Sequence, residues 1–215
     1  MRIPLDELLY SFSRALDFVE QELLGSTTNH GKRAAYFSAH VCQAMGLDDD
    51  DIFDMACCAI LHDNALTAYM LEAGPGGVSK FERFETHCVL GEQNANVFPF
   101  AGNAAGIILH HHENWNGTGF HKLAGDDIPL RAMILRLADM MDLRLKMGAG
   151  RNSLEQEIRQ HARSLSGKFY SPLTVEALND SLTEEFLHGL ADDHVDEALS
   201  RLVPCVRASL TTRQM

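Results

Sequence analysis

Histidine is concentrated in the first part of this 215-residue chain, close to acidic residues. Eight of the 11 histidines fall between residues 30 and 121, including the pair His62-Asp63 and the triplet His110-His111-His112. Burying imidazole and carboxylate groups is costly unless a metal ion or hydrogen bonds offset their desolvation. A single histidine of this kind is usually an ordinary core residue, but the joint occurrence of these segments indicates a metal site.

The two adjacent pairs lie where helices are expected to end. Neighbouring residues of an α-helix point about 100° apart, so their side chains converge on one site only near a helix terminus. His62-Asp63 precedes a break at Asn64, and His111-His112 precedes the turn at Asn116-Gly117. One further carboxylate, Asp139, lies inside an apolar segment.

The composition excludes several classes of function. Acidic residues number 30 and basic residues 18, and the resulting net charge of −12 argues against a general nucleic-acid binder. The sequence has no apolar run of about 20 residues and no signal-peptide pattern, so we expect no membrane span. A small phosphorylated ligand stays compatible with the acidic charge, because bound metal ions reverse the local potential.

The cysteines are odd in number and show no CxxC spacing. We therefore expect reduced thiols buried in helices of a cytoplasmic protein. They are Cys42, Cys57, Cys58, Cys88 and Cys205.

Helical periodicity predicts an all-α fold. Apolar residues recur at i, i+3, i+4 and i+7 from Leu5 to Val19, and no alternating strand series is present. Residues Asp48–Asp51 are expected to cap a helix at Ile52–His62. The other predicted helices cover residues 28–46, 80–97, 102–113, 129–147, 153–165, 174–180 and 183–210. We divide the chain into an N-terminal helix (1–26), a metal-binding core (27–150) and a helical C-terminal extension (151–215).

The order of the histidine and aspartate segments resembles the HD superfamily of metal-dependent phosphohydrolases, and more closely its HD-GYP branch. Residues 111–120, HHENWNGTGF, are similar to the HHExWDGxGYP signature, which selects His111 and His112 from the triplet. Residues 125–130 (GDDIPL) and 134–139 (ILRLAD) are similar to the next family segment. The resemblance covers about residues 27–190 and implies an HD-domain helical bundle with a C-terminal helical extension.

The resemblance implies a site for two divalent metal ions. By motif position, one ion would be held by His30, His62, Asp63 and Asp139, and the other by Asp63, His87, His111 and His112. Asp63 would bridge the two ions and is the candidate catalytic residue. Nitrogen and oxygen ligands favour iron or manganese, and zinc is also compatible with them.

The implied reaction is hydrolysis of cyclic di-GMP by a hydroxide that the two ions activate. The alternatives are a phosphohydrolase for another phosphoester, a metal-loaded signalling or binding module with little or no turnover, and a structural bundle with satisfied core histidines. A homodimer or a regulatory partner domain is a further expectation. The candidate substrate-binding residues are Trp115, Asn116, Gly117, Gly119, Arg144 and Arg151.

Three departures from the family pattern bear on turnover. HDxGK becomes HDNAL at residues 62–66, so Leu66 replaces the lysine that would face the phosphate. The signature ends in Gly119-Phe120-His121, and the basic segment expected after Asp139 matches only loosely. Metal ligands are retained while substrate-facing residues differ, so the sequence supports metal binding more directly than turnover.

Three neighbouring side chains have predicted roles of their own. Arg33, one turn after His30, is expected to pair with a core carboxylate. Glu113 either orients a ligand histidine or is an exposed charge at a helix end. Trp115 either covers the core or stacks on a guanine.

Overall fold

The protein is described by a computed structural model that covers residues 2–24, 28–66, 84–203 and 209–211. The described residues form nine α-helices, which confirms the all-α prediction. The helices are α1 (Leu5–Leu24), α2 (His30–Ala44), α3 (Asp49–Leu61), α4 (Phe84–Ala95), α5 (Leu130–Leu145), α6 (Leu154–Leu165), α7 (Pro172–Ser181), α8 (Glu184–Gly189) and α9 (Val195–Leu202).

Helix α2 forms the centre of the bundle and packs against α3, α5, α7 and α9. Twelve of its 15 residues are buried, among them the charged or titratable His30, Lys32 and Arg33. Small residues allow this close packing, since a Cβ on Gly31 would already lie 3.4 Å from the backbone oxygen of Ile60. Buried polar groups need hydrogen-bond partners. The partners of the buried polar groups of α2 belong to the candidate functional site.

Helix α3 begins as the acidic run predicts. The Asp48 side chain accepts a hydrogen bond from the backbone N–H of Asp51 at 2.9 Å, and three aspartates occupy the first turn. A capping carboxylate and negative charge at the N-terminus both stabilise a helix. The helix ends at Leu61, which places His62 and Asp63 in the turn that follows.

The helix predicted for residues 102–113 is wrong, because this segment forms consecutive turns. The Glu92 carboxylate accepts hydrogen bonds from the backbone N–H groups of Gly106 at 2.6 Å and Leu109 at 3.0 Å. Gly106 adopts φ +80°, which a right-handed helix cannot continue through. A side chain distant in sequence therefore replaces the helical hydrogen bonds.

The single helix predicted for residues 183–210 is also wrong. The chain turns between α8 and α9, where the backbone N–H of Asp192 bonds the carbonyl of Gly148 at 3.1 Å. Residues Ser209–Thr211 form a strand that pairs antiparallel with Arg2–Pro4. A single long helix could not make either contact.

The C-terminal helices share one hydrophobic core with α2, through residues such as Leu178, Phe186 and Leu199. The division at residue 150 stays a prediction. Cys42, Cys57, Cys58 and Cys88 are free and buried as expected, and Cys205 lies outside the described residues. No helix within the described ranges combines the length and apolarity needed to cross a bilayer.

Candidate metal centre

Residues from five segments converge in a buried cluster at the centre of the bundle. His30 begins α2, the pair His62-Asp63 follows α3, His87 lies in α4, and Asp139 lies in α5. His111 is contributed by the turns before α5. All six side chains are at most 4 % exposed. The structure therefore brings together groups that are more than 100 residues apart in sequence.

One side of the cluster consists of His30, His62 and Asp139. Nε2 of His30 lies 3.3 Å from Asp139 Oδ1, and Nε2 of His62 lies 3.9 Å from the same oxygen. One ligand atom from each residue lies within 4.8 Å of the others. Two imidazoles and a carboxylate at this separation are suited to one divalent cation.

Asp63 lies between this group and the other side of the cluster. Its Oδ2 is 3.5 Å from Nε2 of His62, while its Oδ1 is 3.4 Å from Nε2 of His87 and 3.9 Å from Nε2 of His111. The two carboxylate oxygens thus face different histidines. This arrangement is the one that a bridging carboxylate requires.

The other side groups His87, His111 and His112 with a cysteine that the sequence analysis did not consider. Ligand atoms of these residues and Cys88 lie within 4.8 Å of one another. The Cys88 sulfur lies 3.6 Å from His87 Nε2. Burial, together with the nearby negative charge of Asp63, raises the pKa of this thiol. In the metal-free protein the thiol form therefore predominates at neutral pH, whereas a neutral imidazole nitrogen binds a cation through its lone pair.

Backbone carbonyls orient two of the imidazoles. Nδ1 of His62 lies 2.8 Å from the carbonyl oxygen of Ala59, and Nδ1 of His111 lies 2.6 Å from that of Ile108. A carbonyl can only accept, so each Nδ1 carries the proton and each Nε2 presents its lone pair to the cluster.

The third oriented imidazole depends on Asp142, which the sequence analysis missed. Nδ1 of His30 bonds Asp142 Oδ2 at 2.7 Å. The same carboxylate binds the guanidinium of Arg33 through Nε at 2.7 Å and Nη2 at 3.0 Å, which confirms the predicted partner of Arg33. Arg33 also contacts Asp192 between α8 and α9. A second aspartate one turn after Asp139, on the same face of α5, was the signal that could have identified Asp142.

The electrostatics favour deprotonated ligands at neutral pH. Burial, reinforced by the neighbouring His62 and His87, lowers the pKa of His111 to about 3. Burial alone would raise the pKa of Asp139, but its contact with His30 and the nearby His62 lower it overall. A neutral imidazole and an ionised carboxylate bind a cation without first releasing a proton.

The cluster also contains polar atoms that the described protein groups do not satisfy. Asp63 Oδ1, His111 Nε2 and Asp139 Oδ2 are buried and have no hydrogen-bond partner among the described residues. Leaving such atoms unpaired costs free energy, and cations bound on the two sides of Asp63 would compensate for it. The donor set and its unpaired atoms therefore fit divalent metal ions.

Nδ1 of His112 contacts a guanidinium, whereas Nδ1 of His62 and of His111 contacts a backbone carbonyl. The ring of His112 is less buried, and its Nδ1 lies 3.2 Å from Nη1 of Arg136. A guanidinium can only donate, so this contact places the proton of the neutral ring on Nε2. His112 can bind an ion through Nε2 only if that proton is lost or the contact with Arg136 is released.

Glu113 is not the exposed charge at a helix end that was one of its two predicted roles. It is 2 % exposed, and its carboxylate accepts hydrogen bonds from the backbone N–H groups of His121 at 2.8 Å and Leu123 at 2.9 Å. The loop passes so close that a Cβ on Gly119 would lie 2.5 Å from Glu113 Oε1. Glu113 therefore holds the loop that follows the histidine triplet.

The candidate substrate-binding residues occupy that loop, the end of α5 and the segment between α5 and α6. Trp115 is half-buried against the small cluster around Ile128 and lines a cavity of about 380 Å³. The Asn116 side-chain oxygen accepts a hydrogen bond from the Thr118 hydroxyl at 2.7 Å, and Gly117 adopts φ +76°.

The two candidate arginines lie farther along the chain. Arg144 is exposed near the end of α5. Arg151 is engaged by Glu157 and by the carbonyl of Leu145.

Leu66 at the position of the missing lysine is 1 % exposed and belongs to the buried residues of the chain. The preceding Asn64 instead bonds α4, by donating to the carbonyl of Gly91 at 3.0 Å. Leu66 therefore packs in the interior, and Asn64 attaches this segment to the helix that carries His87. Neither residue supplies a positive charge.

Comparison with known proteins places this geometry in a family. A family model described as an HD domain matches residues 18–163. The chain is 28 % identical over 181 residues to a cyclic di-GMP phosphodiesterase of Thermotoga maritima, an alignment covering 80 % of this chain and 49 % of the relative. It is 26 % identical over 183 residues to a 3′3′-cGAMP-specific phosphodiesterase of Vibrio cholerae, covering 80 % and 34 %. The chain thus spans half or less of the length of these relatives.

Solved structures show the same fold. A cyclic GMP-AMP-specific phosphodiesterase from Vibrio cholerae matches with a TM-score of 0.81 at 22 % identity, over 100 % of this chain and 57 % of the other. An HDG"Y"P protein from Bdellovibrio bacteriovorus matches with a TM-score of 0.53 at 19 % identity, over 80 % and 61 %. Because the family model covers more than half of the chain, this protein belongs to the HD-domain family.

Proposed function

We propose that the chain is a metal-dependent phosphodiesterase that hydrolyses a cyclic dinucleotide, with cyclic di-GMP as the substrate. The observation that carries the proposal is the buried cluster in which two carboxylates face the ring nitrogens of four histidines. The names of the relatives, one for cyclic di-GMP and one for 3′3′-cGAMP, support this class of substrate.

Two divalent ions would occupy the two sides of Asp63. The first would be held by His30, His62, Asp63 and Asp139, and the second by Asp63, His87, His111 and His112. Iron or manganese suits these nitrogen and oxygen ligands, and zinc is compatible with them. Bound ions supply an acidified water molecule and withdraw charge from the phosphoryl oxygens.

The protein's own residues prepare the site for this chemistry. His62 and His111 are fixed by backbone carbonyls, and His30 is fixed by Asp142. Their ring nitrogens need no rearrangement to bind, which supports a preorganised centre. Glu113 fixes the following loop, where Trp115 and its neighbours would contact the nucleotide.

The test is metal analysis of anaerobically purified protein, combined with a cyclic di-GMP hydrolysis assay in Fe(II) and in Mn(II). We expect two ions per chain and release of the linear dinucleotide or GMP. His87→Gln should remove the second ion and the activity, whereas His161→Gln, on α6, should retain both. Fewer than one ion per chain under every condition would refute the metal centre.

A second candidate function is a metal-loaded binding module with weak turnover. The burial of Leu66, where a lysine would face the phosphate, favours this alternative. Two ions per chain without hydrolysis of cyclic di-GMP would support it. Hydrolysis of bis(p-nitrophenyl) phosphate alone would instead indicate a different phosphoester substrate.

The proposal also includes the cell compartment and the assembly. Four buried free thiols suit the reducing cytoplasm. A homodimer or a regulatory partner domain is proposed from the family resemblance, and light scattering of the purified chain tests the dimer.

A further inference from the structure

The candidate metal centre has a guanidinium beside it that the family pattern does not predict. Arg136 lies one turn before Asp139 on α5, so both side chains project from the same face. Its Nη1 donates to His112 Nδ1 at 3.2 Å, and its Nη2 donates to Asn114 Oδ1 at 2.8 Å. Arg136 thus connects a candidate ligand with the loop expected to bind the substrate.

Among the described residues, no carboxylate is in contact with the guanidinium of Arg136. Its Nε is buried and has no hydrogen-bond partner among the described residues, and no described carboxylate forms an ion pair with it. The negative charges of Asp139 and Glu113 are close enough to raise the pKa of Arg136, although burial lowers it overall. Asp139 faces His30, and Glu113 is occupied by two backbone N–H groups of the following loop.

Two other arginines are paired with carboxylates. Arg33 forms a bidentate pair with Asp142, and Arg151 is engaged by Glu157. A half-buried guanidinium bonded only to neutral groups is unfavourable unless an anion joins it. A phosphodiester is such an anion, and guanidinium groups bind its oxygens in a planar, two-pronged arrangement.

We propose that Arg136 binds a non-bridging phosphate oxygen of the phosphodiester substrate. It thereby supplies the positive charge that Leu66 lacks, from α5 instead of from the end of α3. The strongly acidic chain needs such a local cation to hold an anionic substrate. This inference rests on the proposed function for the identity of the substrate, but the binding of phosphate itself tests it separately.

The experiment measures binding to the Mn(II)-loaded full chain by calorimetry, with inorganic phosphate and with cyclic di-GMP as separate probes. The variants are Arg136→Gln, Arg136→Lys and, as a matched control, Arg201→Gln, which removes an exposed arginine of α9 paired with Glu197. Manganese content and thermal unfolding are measured on every variant, so that loss of the metal or of the fold is detected.

We expect Arg136→Gln to bind phosphate about 10- to 100-fold more weakly than the wild type, with unchanged manganese content. Arg136→Lys should recover part of the affinity, because it restores the charge without the planar fork. Arg201→Gln should bind as the wild type does.

Three results would overturn the inference. The first is wild-type phosphate affinity in Arg136→Gln, and the second is no phosphate binding by the wild type itself. The third is a loss of affinity that parallels a loss of manganese, which would show that Arg136 acts only on the metal site through His112. If phosphate binding depends on Arg136 but cyclic di-GMP is neither bound nor hydrolysed, the role of Arg136 stands and the proposed substrate is wrong.

Discussion

His30 donates its Nδ1 proton to Asp142 across 2.7 Å, which joins the first residue of α2 to the fourth turn of α5. Burial alone would raise the pKa of Asp142, but its hydrogen bonds with His30 and Arg33 lower it overall. The same carboxylate therefore orients a candidate metal ligand and neutralises a buried guanidinium. It also joins α2 to α5.

Asp142→Asn should weaken both properties. Loss of the charge behind a ligand histidine is expected to lower metal affinity about 10- to 100-fold, measured by competition with a chelator. Arg33 loses one of its two carboxylates, so the free energy of unfolding in urea should fall by about 3 kcal/mol. Asp180→Asn, an exposed change on α7, is the control and should alter neither quantity. Wild-type metal affinity in Asp142→Asn would contradict the orienting role.

Asp63→Asn should affect metal binding but not the stability of the metal-free protein. Oδ1 of Asp63 is buried and has no hydrogen-bond partner within the described part of the chain, so we expect this carboxylate to contribute little to the metal-free fold. In EDTA, we expect a free energy of unfolding equal to that of the wild type or up to about 1 kcal/mol higher. Manganese affinity should fall at least tenfold, about the lower limit for disturbing a metal site.

A second pattern of stability and metal binding in Asp63→Asn would contradict the bridging role. If Asp63→Asn unfolds at lower urea concentrations in EDTA and keeps its manganese, Asp63 is a structural residue and does not bridge two ions. Asp127→Asn, an exposed carboxylate before α5, is the matched control for the change of charge.

His40 should make the metal-free protein less stable in mild acid. Its ring packs edge-on against Tyr36 and Phe186, and burial lowers its pKa from 6.5 to about 4. Above pH 6.5 the ring is neutral in both states. Below that pH the unfolded chain binds a proton that the folded protein does not, so stability is lost progressively down to about pH 4.

The contribution of His40 can be isolated by comparison with His40→Gln. Between pH 7.5 and 5.5 we expect His40 to account for about 1 kcal/mol of the loss in free energy of unfolding. Urea unfolding in EDTA at both pH values should show a smaller loss for His40→Gln by that amount. An identical loss in both proteins would show that the pKa of His40 is close to its value in the unfolded chain.

Gly119→Ala should destabilise the loop that Glu113 holds. The new Cβ would lie 2.5 Å from Glu113 Oε1 and 2.6 Å from Glu113 Cα, and the backbone atom cannot move aside as a side chain could. Overpacking of this kind costs about 1–3 kcal/mol, measured as the free energy of unfolding. Lys122→Ala changes an exposed residue of the same loop and should cost less than about 0.5 kcal/mol. Equal stability of the two variants would show that the loop adapts.

Local features of the sequence were sufficient to predict the main helices, whereas the resemblance to the HD-GYP branch selected the candidate ligands. The acidic cap before α3 and the periodicity of α2, α5 and α6 act within one or two turns, so neighbouring residues determine them. The histidines and aspartates of the cluster were recognisable because polar residues of these types are rare in apolar segments unless they bind a ligand or a structural partner.

Only the tertiary structure decided the features that join distant residues. Glu92 turns residues 102–113 away from a helix, and Asp142 meets Arg33 across 109 residues of sequence. The position of Arg136 between His112 and Asn114 depends likewise on how α5 packs against the preceding loop. A buried charge or carboxylate takes its partner from whichever segment the fold places beside it, and periodicity within one segment carries no information about that choice.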